Sequence, residues 1–165
     1  MITLYLDMDG VLCDFNTEYE RLQPILPDSK KFSHAVLDHR IFENLRSLPD
    51  TLDLLLHVAT LSKVNVEVLT SVGTFNEDQG YQAKMQKRSW LDKMNIPHKA
   101  NFVRSKEEKA KYANENTILI DDSEGCINPF VAAGGFGILH TSTQQTIIEL
   151  NEIFHQIKER NAWRS

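Results

Sequence analysis

The chain has 165 residues, of which 41% are hydrophobic and 25% are charged, as is typical of one globular domain with its own core. Lysine and arginine number 18 against 23 aspartate and glutamate residues, and the net charge of −5 argues against a binder of polymeric nucleic acid, which needs a basic face. Two cysteines are too few for a disulfide scaffold, and no apolar run approaches the roughly 18 residues of a membrane helix, so we expect a cytoplasmic protein without a membrane partner.

Short apolar segments rich in strand-forming residues recur along the chain and predict the strands of a sheet. The first, Ile2–Leu6, is a continuous apolar run, which is typical of a strand buried on both faces of a parallel sheet. The other predicted strands are Val64–Leu69, Asn101–Val103, Thr117–Ile120 and Gly137–His140.

Helical patterns fill the intervals between these strands, and alternating strands and helices predict an α/β domain with right-handed crossovers. Residues 76–80 are predicted to form a polar loop, and Ser105 with Glu108 has the capping-box pattern that starts a helix. The predicted helices are Asp14–Leu22, one or two short helices within Ser29–Arg46, Thr51–Ser62, Tyr81–Met94, Ser105–Ala113, a short helix that ends at Gly134, and Thr146–Arg160.

Polar pairs follow three of the predicted strands. These pairs are Asp7 and Asp9, Thr70 and Ser71, and Asp121 and Asp122. Because ligands of parallel sheets bind beyond the carboxyl ends of the strands, we expect the three pairs to converge on one edge. Four aspartates there would repel one another without a cation, and oxygen-only ligands favour Mg²⁺ over zinc or copper.

This constellation predicts phosphoryl transfer. A carboxylate beside the cation can attack phosphorus, and a second carboxyl two residues along can exchange protons with the leaving group and with water. Hydroxyl groups and a lysine ammonium can hold the phosphoryl oxygens as charge spreads over them. We therefore expect a reaction that passes through an aspartyl phosphate.

The same residues resemble the four ordered motifs of the haloacid dehalogenase (HAD) superfamily over residues 7–122. The matching segments are Asp7-Met8-Asp9-Gly10-Val11-Leu12, Thr70-Ser71, a following lysine, and Ile118-Leu119-Ile120-Asp121-Asp122. The resemblance implies a single HAD-like (Rossmann-like) domain over residues 1–165, with helices flanking a parallel sheet. It also implies a small helical cap insert after the first strand, at approximately residues 16–50.

By this resemblance Asp7 is the nucleophile and Asp9 is the general acid and base, which also offers its backbone carbonyl to Mg²⁺. One of Asp121 and Asp122 is then a direct metal ligand and the other supports it. Two lysines remain candidates for the third motif, because Lys106 fits an Arg-x-Lys pattern whereas Lys109 lies nearer the acidic pair in sequence.

A narrower resemblance is to the 5′(3′)-deoxyribonucleotidase branch of that superfamily. It rests on the first motif extended to Phe15, on Lys87-x-x-Trp90 and on Arg104-x-Lys106. It implies a nucleoside monophosphate as substrate, Thr70, Ser71, Lys87 and Arg104 on the phosphate side, and Phe15 in an aromatic pocket. Among the aromatic residues that we expect to build such a pocket, which also include Tyr19, Phe32 and Phe75, Phe42 is the second candidate. The chain departs from the branch at residues 72–75, Val-Gly-Thr-Phe, where proline and then lysine are usual.

The sequence is also compatible with other functions. A HAD phosphatase for a sugar phosphate or for a 3′-phosphate end uses the same motifs. A phospho-accepting signalling domain also groups acids, a hydroxyl and a lysine around Mg²⁺, although its acidic pair precedes the acceptor aspartate. A non-catalytic binding module with a degenerate site ranks last, because every expected polar group is present. The sequence does not decide between a monomer and a homodimer.

Overall fold

The computed structural model describes residues 1–22 and 27–164 and contains a sheet of five parallel strands in the order β3-β2-β1-β4-β5. The strands are β1 (Ile2–Leu6), β2 (Val64–Ser71), β3 (Lys99–Val103), β4 (Thr117–Asp121) and β5 (Phe136–Leu139). Non-consecutive strands are neighbours and all pairs are parallel, so the connections cross over the sheet through helices. The predicted α/β fold with a parallel, helix-flanked sheet is confirmed.

The strands are separated by helices, and β1 lies at the centre of the sheet with β2 and β4 on either side. The α-helices are α1 (Phe15–Arg21), α2 (Asp28–Leu37), α3 (Thr51–Ala59), α4 (Glu77–Lys93), α5 (Glu124–Ala132) and α6 (Thr143–Arg164), and short 3₁₀ helices span Ile41–Glu43 and Glu107–Tyr112. Within residues 1–22 and 27–164, no helix combines the length and the hydropathy that crossing a membrane requires.

Both faces of the sheet are buried. On β1, Leu4 and Leu6 belong to a large hydrophobic cluster and Tyr5 to a smaller one. Side chains of a strand alternate between faces, so the two clusters lie on opposite sides of the sheet. The larger cluster includes residues of α3, α4 and α6, whereas the smaller one is built mainly on α5.

Helix α4 begins earlier than the sequence predicts. Residues 77–80, predicted as loop, are its first turn. The Asn76 side chain accepts a hydrogen bond from the backbone N–H of Gln79 at 3.0 Å, which satisfies one of the free donors at the helix start. Glu77 and Asp78 also favour this position because their charges complement the positive end of the helix dipole.

The predicted helix over residues 105–113 is a short 3₁₀ helix, Glu107–Tyr112. No side-chain hydrogen bond caps its first turn, and the capping box predicted for Ser105 and Glu108 does not form. The Glu108 carboxylate instead accepts a hydrogen bond from the backbone N–H of Arg104 at 2.7 Å. This bond ties the start of the 3₁₀ helix to the end of β3.

The two ends of the insert predicted after β1 lie side by side. Cys13 pairs with Ser47 in an isolated antiparallel bridge, and the backbone N–H of Asp14 donates to the carbonyl of Arg46 at 2.8 Å. The segment between these contacts carries α1, α2 and the 3₁₀ helix Ile41–Glu43. Its residues 23–26 lie outside the described part of the chain, and its role as a cap stays a prediction.

Candidate active site

The polar pairs predicted at the strand ends lie at the carboxyl edge of the sheet. Asp7 directly follows β1, and its backbone N–H donates to the carbonyl of Ile120 on β4 at 3.0 Å. Asp121 is the last residue of β4. Asp7 is 6% exposed and Asp121 is fully buried, so two carboxylates lie side by side in the protein interior.

Asp7, Asp121 and Asp122 form a cluster in which one carboxylate oxygen from each residue lies within 4.8 Å of the others. The ammonium of Lys109 is inserted beside it. Lys109 Nζ donates to Asp121 Oδ2 at 2.6 Å and lies 2.9 Å from Asp7 Oδ1, where the angle is not that of a hydrogen bond. Three carboxylates against one ammonium leave two negative charges in the cluster.

The electrostatics of the cluster reflect this excess of negative charge. Burial and the neighbouring Asp7 raise the pKa of Asp121 to about 6. Burial, with Asp7 and Asp9 nearby, also raises the pKa of Asp122. Burial alone would lower the pKa of Lys109, but Asp7 and Asp121 together outweigh it and raise that pKa. The acids resist ionisation here, whereas the lysine stays charged.

The residues of the cluster fit a hard divalent cation. Every donor is a carboxylate oxygen, the ligand type that Mg²⁺ prefers, and the uncompensated charge matches that of the ion. The Asp122 carboxylate lies against Gly10, in the space that a Cβ on residue 10 would fill. Asp7, Asp121 and Asp122 would hold such an ion.

Asp9 lies apart from this cluster. Its Oδ2 accepts a hydrogen bond from Lys87 Nζ at 2.6 Å, and the same ammonium donates to Thr70 Oγ1 at 2.9 Å. The Asp9 carboxylate is therefore not among the grouped acids, and the expected contact of its backbone carbonyl with Mg²⁺ stays a prediction.

A cavity of about 590 Å³ opens above the cluster. The predicted site residues that line it are Asp7, Asp9, Phe15, Phe42, Ser71, Arg104, Lys106, Lys109, Asp121 and Asp122. Thr70 and Lys87 do not line it, because both side chains are fully buried behind Asp9. The cavity lining therefore gives no support to direct phosphate contacts from these two residues, and those contacts stay a prediction.

The two third-motif candidates occupy different places. Lys109 is 1% exposed and contacts the acids at the floor of the cavity. Lys106 is exposed at the rim, where its ammonium donates to Ser123 Oγ at 3.0 Å. Arg104 also lies at the rim, paired with Glu108 at 3.1 Å and above the Phe75 ring at 5.3 Å.

Aromatic rings form one wall of the cavity. Phe15 stacks on Phe42 with ring centroids 5.2 Å apart and on Tyr19 with centroids 5.1 Å apart. Phe32 meets Phe42 edge to face at 6.4 Å. The structure thus brings together Phe15 and Phe42, the two aromatic residues singled out from the sequence, and Phe32 packs beside them.

Two residues of the site were missed by sequence reasoning. Gly10, with a φ of +78°, was noted only as part of a motif, although a glycine directly after two acids indicates a backbone conformation that other residues rarely adopt. Ser123 donates its backbone N–H to Asp121 Oδ1 at 2.9 Å and accepts from Lys106. Its position after the acidic pair was the available signal.

Comparisons with known proteins identify similar folds. No family model matches the chain, and no curated protein matches it. A hydrolase from Streptococcus pneumoniae TIGR4 is 17% identical, with a TM-score of 0.50 over 93% of this chain and 97% of its own. A D,D-heptose 1,7-bisphosphate phosphatase from Burkholderia thailandensis is 12% identical, with a TM-score of 0.45 over 91% of this chain and 98% of its own. The first likeness shows a shared fold over 93% of this chain.

Proposed function

We propose that the protein is a Mg²⁺-dependent phosphomonoesterase of the HAD type, which removes phosphate from (deoxy)ribonucleoside monophosphates through an aspartyl phosphate. The observation that carries the proposal is the position of Asp7. Its carboxylate lies at the floor of a cavity, next to Lys109 at 2.9 Å and within the carboxylate cluster. A buried carboxylate with cationic support suits attack on a negatively charged phosphate.

In the first step an Asp7 oxygen forms a bond to phosphorus, and the bond from phosphorus to the leaving oxygen breaks. The Asp9 carboxyl gives its proton to that oxygen, so the product leaves as a neutral alcohol. Lys109 and Ser71 hold phosphoryl oxygens as charge spreads over them. When bound, Mg²⁺ supplies the positive charge that offsets the repulsion between the phosphate and the acids.

In the second step water attacks phosphorus and releases inorganic phosphate from Asp7. The Asp9 carboxylate accepts a proton from that water, which returns Asp9 to the acid form it had at the start. Lys109 has its two contacts with Asp7 and Asp121, so it stays in place through both steps. The same four side chains, Asp7, Asp9, Ser71 and Lys109, therefore complete the cycle.

A mononucleotide fits the cavity by size and by surface. The volume of about 590 Å³ lies within the range of small-molecule sites, which is on the order of 300 to 1,000 Å³. The phosphate end of the cavity is polar, and the stacked rings of Phe15 and Phe42 line its wall with aromatic carbon atoms against which a base would pack. This aromatic wall favours a nucleotide over a sugar phosphate.

The test is phosphate release from a panel at equal concentration: thymidine 5′-phosphate, a 3′-mononucleotide, ribose 5-phosphate and a 3′-phosphorylated oligonucleotide, each with Mg²⁺ and with EDTA. We expect turnover of mononucleotides that EDTA abolishes. Equal turnover of nucleotides and sugar phosphates would remove the nucleotide part of the proposal.

The variant Asp7→Asn tests the nucleophile, since an amide oxygen does not form the phosphoenzyme. We expect turnover to fall by at least about a thousand-fold while the thermal unfolding midpoint stays near that of the wild type. Retained turnover would defeat the assignment of Asp7. Stable phosphorylation of the wild-type protein without repeated turnover would instead support a phospho-accepting signalling domain.

A further inference from the structure

Lys87 is a buried cation in an unusual setting. It lies in the middle of α4 and its side chain is 0% exposed. A lysine is almost never fully buried unless its ammonium is paired, because desolvation of the charge is costly. The fold therefore maintains this ammonium through specific partners.

Those partners hold the ammonium from three sides. Nζ donates to Asp9 Oδ2 at 2.6 Å and to Thr70 Oγ1 at 2.9 Å, and it lies 4.4 Å from the centroid of the Phe42 ring. The helix itself is anchored one turn away, where Trp90 Nε1 donates to the carbonyl of Leu45 at 2.8 Å. The position of the ammonium is thus fixed by β2, by the insert and by α4 together.

The two buried lysines of the site divide the acids between them. Lys109 contacts Asp7 and Asp121, whereas Lys87 contacts Asp9. Lys87 does not line the cavity, so it reaches the reacting groups only through Asp9. Asp9 is the more exposed member of this pair, with a side chain that is 28% accessible, and its orientation needs an anchor.

We propose that Lys87 is a positioning residue, which holds the Asp9 carboxylate where it meets the leaving oxygen and later the attacking water. Thr70 serves as the second anchor of the ammonium rather than as a phosphate ligand. This inference rests on the proposed function, because it assigns Lys87 to the two proton transfers in which Asp9 takes part. It adds no bond change of its own.

The leaving group provides the test. An alkyl leaving oxygen, as in thymidine 5′-phosphate, needs a proton when its bond to phosphorus breaks, whereas p-nitrophenolate leaves without one. In Lys87→Met we expect the first turnover of thymidine 5′-phosphate to slow by about a hundred-fold or more, the usual contribution of an oriented acid. The burst of p-nitrophenolate from p-nitrophenyl phosphate should slow by less than about ten-fold, and it should be followed by a slower steady state because water activation is also impaired.

The matched control is Lys84→Met, three residues earlier on α4, where the side chain is exposed above Phe102. We expect both substrates to react with it as with the wild type. Equal slowing of both substrates in Lys87→Met, or no slowing, would overturn the proposal. Failure of the wild type to release phosphate from either substrate would instead refute the proposed function.

A second variant keeps the inference testable if Lys87→Met does not fold. Thr70→Val removes one hydrogen-bond acceptor of the ammonium and leaves the Asp9 contact in place. We expect a smaller loss of first-turnover rate than in Lys87→Met. Thymidine 5′-phosphate should again slow more than p-nitrophenyl phosphate. An unchanged ratio of the two first-turnover rates in folded Thr70→Val would overturn the proposal, and the near-ultraviolet circular dichroism spectrum shows whether the variant is folded.

Discussion

The Asp122 carboxylate occupies the space in which a side chain at Gly10 would begin. The backbone of Gly10 has a φ of +78°, a conformation that costs other residues roughly 1 to 2 kcal/mol. Both facts make residue 10 part of the wall of the acidic cluster. The close approach of backbone to carboxylate explains why a glycine directly follows Asp9 in the loop after β1.

Gly10→Ala should therefore weaken Mg²⁺ binding as well as stability. The new methyl group displaces Asp122 from the cluster, and the metal then loses a ligand. We expect the rise of the thermal unfolding midpoint on addition of Mg²⁺ to disappear in this variant, because a ligand that binds only the folded state raises that midpoint.

Gly134→Ala is the control for this prediction. Gly134 has a φ of +95°, and no atom of residues 1–22 and 27–164 lies within 4 Å of the position of its Cβ. An alanine there reproduces the backbone strain without a steric neighbour. It should lower the midpoint and keep the full shift with Mg²⁺. An undiminished shift in Gly10→Ala would contradict the role assigned to the contact.

Lys109 should contribute strongly to the free energy of unfolding in the absence of metal. Lys109→Met leaves Asp7 and Asp121 buried without their ammonium, and breaking a buried ion pair typically costs about 3 to 5 kcal/mol of unfolding free energy. Added Mg²⁺ should recover part of the loss by restoring positive charge. Urea unfolding with EDTA and with Mg²⁺ measures both effects.

Lys111→Met is the matched variant on the same 3₁₀ helix. Its ammonium is exposed and pairs with Glu108 at 3.1 Å, and surface changes of this kind usually stay within about 0.5 kcal/mol. Equal stability of the Lys109 and Lys111 variants would show that the buried contacts contribute little.

Asp121 should make the metal-free protein less stable as the pH rises. Its pKa is raised to about 6 in the folded state, above the ordinary value of about 3.9 for an unfolded chain. Between these two pH values the folded state binds the Asp121 proton more tightly than the unfolded chain does. The contribution of Asp121 to the free energy of unfolding is therefore full below about pH 4 and is lost as the pH rises through about 6.

The difference in unfolding free energy between wild type and Asp121→Asn isolates this contribution. In EDTA we expect the difference to fall between about pH 4 and about pH 6, and saturating Mg²⁺ should remove the fall because the metal favours the ionised carboxylate. A difference that is flat or rises with pH in EDTA would rule out the raised pKa.

The stacked Phe15 should determine recognition of the base. Phe15 lines the cavity, and contact of a base with its ring would bury apolar surface, so Phe15→Ala should raise the KM for thymidine 5′-phosphate by about ten-fold with little change in kcat. Ribose 5-phosphate lacks a base and should be turned over as before. Phe102→Ala, outside the cavity, controls for general loss of packing, and a parallel loss for both substrates would argue against a base site.

The strands and the acidic pairs were accessible from the sequence because each depends on local pattern. Ile2–Leu6 is apolar throughout, and Asp7 and Asp9 follow it immediately, so the edge of the sheet could be located without coordinates. The start of α4 was missed because Asn76, Glu77 and Asp78 are equally typical of a loop. Only the capping bond from Gln79 to Asn76 distinguishes the two.

The lysines could not be assigned in this way. Lys109 stands in a charged segment, residues 106–111, that resembles a solvated helix face, yet it is buried because acids from β1 and β4 surround it. Lys106 fits the Arg-x-Lys pattern and is exposed. Thr70 lies one residue from Ser71, but strand alternation turns its hydroxyl away from the cavity towards Lys87. The contacts of these side chains depend on partners that are distant in sequence, so a local sequence pattern does not predict them.

The central place of β1 in the sheet has a consequence for the order in which the site is assembled. During synthesis the nascent chain presents Asp7 and Asp9 first, whereas the ammonium groups that neutralise them arrive with α4 and with the 3₁₀ helix after β3. Asp121 joins only when β4 is laid beside β1. Closing the sheet and balancing the charge of the site are thus one event, and a chain halted on the ribosome before residue 87 holds Asp7 and Asp9 without either ammonium.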